Sequence, residues 1–425
     1  MPLIDILLIG AAFAAVVAWA GLAAHVASVQ RGRTAARATV AAALAALGAA
    51  DVARLPLAER IARIRLLLDR ATRELIMQAA ADDETPVDVV QVLTAYLTER
   101  WGAETLERDA ASHTTARSKW RRIAALRILF RPGPRDGARP KDVPDGRSLA
   151  LLEAAVADAD SDVGTAALSL LGNSDNPRAA DILIDALKRR GGHPASRVAV
   201  HLDRSPLHLA DRLRALLPDS DPVVRLWAAT LLARYPDVDG LERELAALAD
   251  DEDARVRKAA VQALGLIGDT IAGVVALRLL NDPVPFVRAT ALRALGKLGR
   301  DDLAEEIAAL LGDRDWWVRF AAKECLETLG PEIWPVLLRL LDDPDRFVRN
   351  GAAEVFQNLG VLDSLIVMEA ATDDPAAAKI DLLRRIALAG GLRLSDSLIE
   401  RAGSSLGPRV RQLLVTIGLE HVGAV

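Results

Sequence analysis

The sequence predicts an all-α protein: a right-handed α-solenoid of roughly ten helix pairs, preceded by one transmembrane helix. Three observations lead there. A Val-Arg pair recurs at Val224-Arg225, Val256-Arg257, Val287-Arg288, Val318-Arg319, Val348-Arg349 and Val410-Arg411. The steps are about 31 residues or a small multiple, and self-similarity at such a period marks stacked helical repeats. Each of the first five Val residues is followed four positions on by Ala (Ala228, Ala260, Ala291, Ala322, Ala352). Eight positions on stands Leu or Phe (Leu232, Leu264, Leu295, Leu326, Phe356). That spacing draws one face of a helix, repeated. Third, residues 6–29 carry no Asp, Glu, Lys or Arg.

Taken in chain order, the uncharged stretch comes first. As a helix it is about 36 Å long, enough to cross a ~30 Å hydrocarbon core. The start Met1-Pro2-Leu3-Ile4-Asp5 lacks the basic residues of a cleavable leader, so retention as an anchor is expected. Arg31, Arg33 and Arg37 follow it. Positive charge stays on the cytoplasmic side, which places the rest of the chain in the cytoplasm, tethered to the inner membrane.

Between Arg31 and Arg73 stand nine arginines against Asp51, Glu59 and Asp69, so the remainder is the acidic part of a chain of net charge −5. Two readings of this basic segment stand side by side: attraction to an anionic leaflet, or simple solubilisation of a helix. Leu57, Ile61, Ile64, Leu68, Ala71 and Leu75 form an amphipathic stripe. Packing against the helix expected at 87–101 is the ordinary use of such a stripe, and homodimerisation is the alternative.

The repeats are expected from 119 to 425, after an anchor at 1–30 and a membrane-proximal helical region at 31–118. Trp120-Arg121-Arg122-Ile123-Ala124-Ala125 matches Val224-Arg225-Leu226-Trp227-Ala228-Ala229 and reads as the first repeat. An inserted loop at 131–147, rich in Pro, Gly and charge, interrupts the period. With 51% hydrophobic but only 4% aromatic residues, the core must consist mainly of Ala, Leu and Val, and an array growing in one dimension has no need to divide into globular domains. Cys325, the single cysteine, stands on the repeat's apolar face and reads as core.

In Asp221-Pro222, Asp282-Pro283, Asp343-Pro344 and Asp374-Pro375, Asp is expected to cap a helix and Pro to fill its first turn. The unit resembles the HEAT repeat, in particular the short bacterial variety named after phycobilisome lyases. The pattern Asp-Pro…Val-Arg…Ala…Ala-Leu-Gly reads here as Asp282-Pro283-Val284-Pro285-Phe286-Val287-Arg288-Ala289-Thr290-Ala291-Leu292-Arg293-Ala294-Leu295-Gly296. The resemblance runs from Trp120 to the C-terminus and is specific for fold, not for activity. It implies that Arg225, Arg257, Arg288, Arg319 and Arg349 form a ladder with aspartates between repeats. Gly164 departs from the pattern where Arg is expected, and the unit around Arg197 is irregular.

The resemblance also raises enzymes. Some short-HEAT proteins are iron-dependent deoxyhypusine hydroxylases, which use His-Glu pairs as ligands. This chain has no His-Glu dipeptide, and His25, His113, His193, His201, His208 and His421 show no paired helical spacing. Phycobilin lyases of this class carry no portable motif. Gly403-Ser404-Ser405-Leu406-Gly407 has the text of a nucleophile elbow, but that motif must join a strand to a helix, and no strand is expected. No catalytic, cofactor-binding or metal-binding residue is therefore assigned. Nucleic acid is the runner-up ligand, disfavoured by the acidic remainder and the anchor.

The expected function is a scaffold or adaptor that binds other proteins. Its candidate surface begins at the position before the repeat Val, where Phe286, Trp317 and Phe347 recur and Trp316 adds a ring. Arg293, Glu324 and Glu354 lie on the same helices. Such rings either anchor a partner or fill gaps between repeats.

Overall fold

The computed structural model describes residues 38, 40–48, 52, 54–69, 73–81, 85–111, 116–130, 146–189, 193–268, 270–372, 376–390 and 403–417. All regular structure among them is helical, without strands. The expected transmembrane segment at 6–29, Arg31, Arg33 and Arg37, Asp374-Pro375 and residues 131–145 of the expected loop lie outside the described residues. Among the described residues no helix is long and apolar enough to cross a membrane. The chain divides into two compact units, Met1–His208 and Leu209–Val425.

In the first unit the described helices are α1 (Leu57–Leu68), α2 (Arg73–Ala81), α3 (Val87–Trp101), α4 (Ala103–Ala111) and α5 (Ala116–Phe130). After them come α6 (Gly146–Val156), α7 (Ser161–Gly172), α8 (Pro177–Lys188) and α9 (Ala195–Asp203). Ile61, Ile64 and Leu68 are buried and α1 packs against α3, the ordinary use expected of the stripe. The stripe does not continue as one helix. α1 ends at Leu68, and in α2 Ile76 and Met77 are buried while Leu75 is only half-buried.

Helix α5 packs on α7, and their contact corrects the expected register of the first repeat. Arg122, not Arg121, pairs with Asp158, and both side chains are almost wholly buried. Arg121 reaches Glu74 instead, and Trp120 is 66% exposed rather than buried like Val224. The match of Trp120-Arg121 to Val224-Arg225 is therefore one residue early. Asp158 also accepts from the Asp160 N–H at 2.8 Å, and Asp160 caps α7 by accepting from the Asp162 N–H at 2.9 Å. Where α7 would present its own arginine stands Gly164. A Cβ there would lie 2.0 Å from Nε2 of His193, so an imidazole takes the space of the missing side chain.

The second unit continues with α10 (Ala210–Arg214), α11 (Pro222–Leu232), α12 (Leu241–Leu248), α13 (Ala254–Ile267), α14 (Thr270–Leu279) and α15 (Pro285–Leu298). Then follow α16 (Ala304–Ala309), α17 (Trp316–Thr328), α18 (Trp334–Leu340), α19 (Arg346–Asn358), α20 (Val361–Ala371), α21 (Ala377–Gly390) and α22 (Gly403–Thr416). α11, α13, α15, α17 and α19 pack each on the next, and each of the short helices α12, α14, α16 and α18 packs on the long helix that follows it.

The repeated face is the reason. Val256, Ala260 and Leu264 of α13 show 0% exposure, as do Val287, Ala291 and Leu295 of α15 and Val318, Ala322 and Leu326 of α17. Burying each Val or Leu contributes ~1.5–3 kcal/mol, and the small Ala lets neighbouring helices approach. At Gly265 a Cβ would come 2.7 Å from that of Ala294. α13 and α15 end on Gly268 and Gly299 at φ +80° and +63°, the left-handed conformation that glycine adopts without cost. Cys325 is buried core, as expected, and burial pushes its thiol up to about 12.

The ladder forms in part. Arg225 reaches Asp251 through Nε (2.7 Å) and Nη2 (2.8 Å). Arg257 holds Asp282 the same way at 2.7 and 3.0 Å, and Arg288 holds Asp313 at 2.9 and 2.8 Å. Nη1 of each arginine donates to two carbonyls of the turn before its own helix, for Arg288 those of Asp282 (2.8 Å) and Pro283 (3.3 Å). One side chain thus ties its own turn to the next repeat. The aspartates that accept from the arginines are not the helix caps. Asp251 and Asp313 accept from the N–H of Asp253 and Asp315, which cap α13 and α17; Asp343, which no ladder arginine reaches, accepts in the same way from the N–H of Asp345, the cap of α19. Of the expected Asp-Pro caps among the described residues, only Asp221 behaves as foreseen, with Pro222 in the first turn. Asp282 and Asp343 stand two residues upstream of the cap.

Candidate functional site: an exposed aromatic face

The capping geometry fixes where the candidate rings point. Asp315 accepts from the Trp317 N–H at 2.9 Å and Asp345 from the Phe347 N–H at 2.7 Å. With the cap three residues before the repeat Val, the ring position lies in the first turn, immediately before the buried Val. One residue is a rotation of ~100°, so when Val318 faces the core Trp317 faces out.

The rings are indeed outside. Phe286, Trp316, Trp317 and Phe347 are between 42% and 54% exposed, and none fills a gap between repeats. The Trp316 and Trp317 rings stack at 3.9 Å with 26° between planes. Phe320, also exposed, meets Trp317 edge-on at 6.4 Å. Phe320 lies outside the column of rings that precedes each repeat Val. Its signal was the i, i+3 spacing from Trp317, which puts both on one helix face.

The ladder is interrupted beside these rings. Arg319 keeps its bonds to the carbonyls of Asp313 (2.8 Å) and Arg314 (3.3 Å), but among the described residues it has no carboxylate partner. Its guanidinium instead lies over Phe347 at 4.4 Å, with Arg346 against the same ring at 4.8 Å. Cation–π contacts of this kind hold an exposed Phe in one place, which reduces the ordering cost of using it as an anchor. Arg349 likewise bonds to the carbonyls of Asp343 and Pro344.

The polar candidates are tied to one another across repeats. Arg293 of α15 pairs with Glu324 of α17 at 3.2 Å. Glu354 of α19 is held by Lys323 and accepts from Asn350 at 2.7 Å. Lys323 also sits 5.7 Å from the Phe320 ring. Thr290 donates to the Phe286 carbonyl at 2.7 Å and serves its own helix. The face therefore presents rings on α15, α17 and α19 with mixed charge below them.

Other candidate chemistry is dispersed. No group of three or more His, Cys, Asp or Glu side chains is placed to hold a metal among the described residues. His193 and His201 pack against Gly164 and Gly172, and burial holds both imidazoles below the usual histidine range. Gly403 opens helix α22, which runs through Ser404, Ser405 and Gly407.

Residues 210–284 and 273–356 match the family of HEAT repeats, a stretch that contains the ladder and the aromatic face. Among curated proteins there is no match. Solved structures similar to the chain include the complex of CpcE and CpcF of phycocyanin lyase from Nostoc sp. PCC7120, at 20% identity over 63% of this chain and 94% of that one, TM-score 0.27. Human deoxyhypusine hydroxylase in complex with glycerol is similar at 19% identity over 63% and 99%, TM-score 0.25. A chain of the Kap95:Nup1 complex is similar at 12% identity over 88% and 63%, TM-score 0.41.

Proposed function

We propose that this chain is a scaffold that binds other proteins through the aromatic face of α15, α17 and α19. The observation that carries the reading is the exposure of Phe286, Trp316, Trp317, Phe320 and Phe347 on successive repeats. Exposed apolar rings gathered in one place mark an interaction surface, and Trp with Arg beside it is the composition of interface hot spots. The match of this stretch to HEAT repeats supports the same class of role. We further propose that residues 6–29 anchor the chain in the inner membrane with the repeats in the cytoplasm, on the strength of the uncharged span and the arginines behind it.

Trp317→Ala tests the surface. Partner binding should weaken by about 2 kcal/mol, or about thirtyfold, while the melting temperature scarcely moves. A lower melting temperature with unchanged binding by the folded fraction would return Trp317 to a packing role. The topology has its own test, because the buried Cys325 gives little background labelling. A cysteine introduced by Asp301→Cys should react with an impermeant thiol reagent only after lysis, and labelling of intact cells would reverse the orientation.

A further inference from the structure

Beside the rings, between α13 and α15, runs an open groove of about 270 Å³ with Lys258 and Gln262 on one bank and Thr290, Arg293 and Lys297 on the other. No carboxylate lines it. Lys258 and Lys297 are exposed and neither has an ion-pair partner among the described residues. Arg293 is engaged with Glu324, but both side chains are nearly half exposed, and such a surface pair is weak enough to exchange partners. The long-helix face is thus polarised along its length. Cations stand free at α13 and α15, rings occupy the first turns of α15 to α19, and the carboxylates of Glu324, Glu327 and Glu354 lie on α17 and α19.

We propose that the groove receives the acidic side chains of a peptide segment whose apolar anchor rests on Trp317 and Phe320, a reading that builds on the protein-binding role above and specifies the partner's chemistry. The free cations at the groove supply the complementary charge. With helices ~8–10 Å apart, the groove lies ~12–15 Å from the Trp317 helix. An extended peptide crosses that distance in about four to five residues at ~3.3 Å each. The partner segment therefore carries Asp or Glu at that spacing from an aromatic or aliphatic residue. A nucleic-acid strand fits this surface poorly, because it bears a charge on every nucleotide and would bring phosphates against Glu324, Glu327 and Glu354.

The test is selection from a random peptide display library on the full chain, on Lys258→Glu/Lys297→Glu and on Trp317→Ala. The substituted side chains are all exposed, and melting curves establish that each variant is folded. From the unsubstituted chain, peptides with acids about four to five residues from an apolar anchor should be enriched. The charge-reversed variant should keep the anchor preference, lose the acidic one, and bind the originally selected peptides at least tenfold more weakly. Peptides with no acidic bias, or the same bias on the charge-reversed variant, would overturn the groove assignment and leave the aromatic surface standing. A pool unchanged by Trp317→Ala would overturn the aromatic surface itself. A single-stranded oligonucleotide that displaces the selected peptides in a manner dependent on Lys258 and Lys297 would assign the groove to phosphates instead.

Discussion

The two units solve the same packing problem with different polar chemistry. In the second unit Arg225, Arg257 and Arg288 each join a turn to the next repeat through a paired carboxylate. In the first unit Arg122 makes such a pair with Asp158, but α7 then offers Gly164, and the ring of His193 lies where a guanidinium would. A buried arginine requires a matching acid and a satisfied set of donors, whereas an imidazole packs as a small ring with one donor and one acceptor. The difference teaches that the helix-on-helix arrangement depends on the Val, Ala and Leu face. The rung above that face can be exchanged for another group when its neighbours change with it.

Within the second unit the ladder changes again at Arg319, and the largest expected effect concerns that change. Asp282→Ala leaves Arg257, only 13% exposed in its side chain, without its carboxylate. Removing one member of a buried pair costs about 3–5 kcal/mol. Asp343→Ala removes only the acceptor for the Asp345 N–H, a loss of about 1 kcal/mol. Denaturant titration of the two variants should show that gap. Equal losses would mean that Arg319 and Asp343 form a rung in solution and that the ladder has no break beside the rings.

A second comparison sets Gly164 against the arginine positions. Gly164→Ala adds a single methyl group that collides with His193, and relieving such overpacking costs about 1–3 kcal/mol. At the equivalent positions, Arg257 on α13 and Arg288 on α15, a whole side chain is accommodated. Gly164→Ala should therefore lower the melting temperature, and combining it with His193→Ala should recover most of the loss. If the double substitution is no better than the single one, the contact with His193 is not what excludes a side chain.

These particulars show what the sequence makes legible. The Val, Ala and Leu columns were readable because burial imposes one residue size at one helical phase, and every member from Val224 to Leu326 is in the core. Arginine positions were readable as ladder candidates, but pairing was not, because Arg319 and Asp343 are both present and are separated by one residue fewer than Arg288 and Asp313. Asp-Pro pairs misled because the same two letters occur at the cap in α11 and two residues before it ahead of α15 and α19. The register at Trp120 slipped because two consecutive arginines compete for one column, and only the burial of Arg122 separates them. As for the site, the recurring rings identified Phe286, Trp317 and Phe347, while exposure could not be read from residue type. A Trp before a buried Val fits either a gap or an open face, and only the 53% exposure of Trp317 in three dimensions decides between them.

The smallest expected effect separates the units by pH. His193 and His201 lie below the ordinary histidine range, first through burial and then through nearby arginines: Arg197 for His193, and Arg204 with Arg197 for His201. A histidine whose pKa is lower in the folded state binds more protons once unfolded, so stability rises with pH across that window. The contribution is complete above about pH 6.5 and declines as pH falls below it. In the second unit the depressed groups are carboxylates. Asp253 is held down to about 2, first by the Arg255 side chain, and Asp251 is also depressed: burial acts to raise it and is outweighed by the hydrogen bonds from Arg225 and the Asp253 N–H. Their contribution is present above about pH 4 and is lost only as pH falls toward 2. Between pH 7 and pH 5, amide hydrogen exchange corrected for intrinsic rates should therefore show α7 and α9 losing protection while α13 and α15 keep theirs. His201→Gln should reduce the change in the first unit. Parallel loss in both units, or a pH response untouched by that substitution, would show that these two histidines are not what distinguishes them.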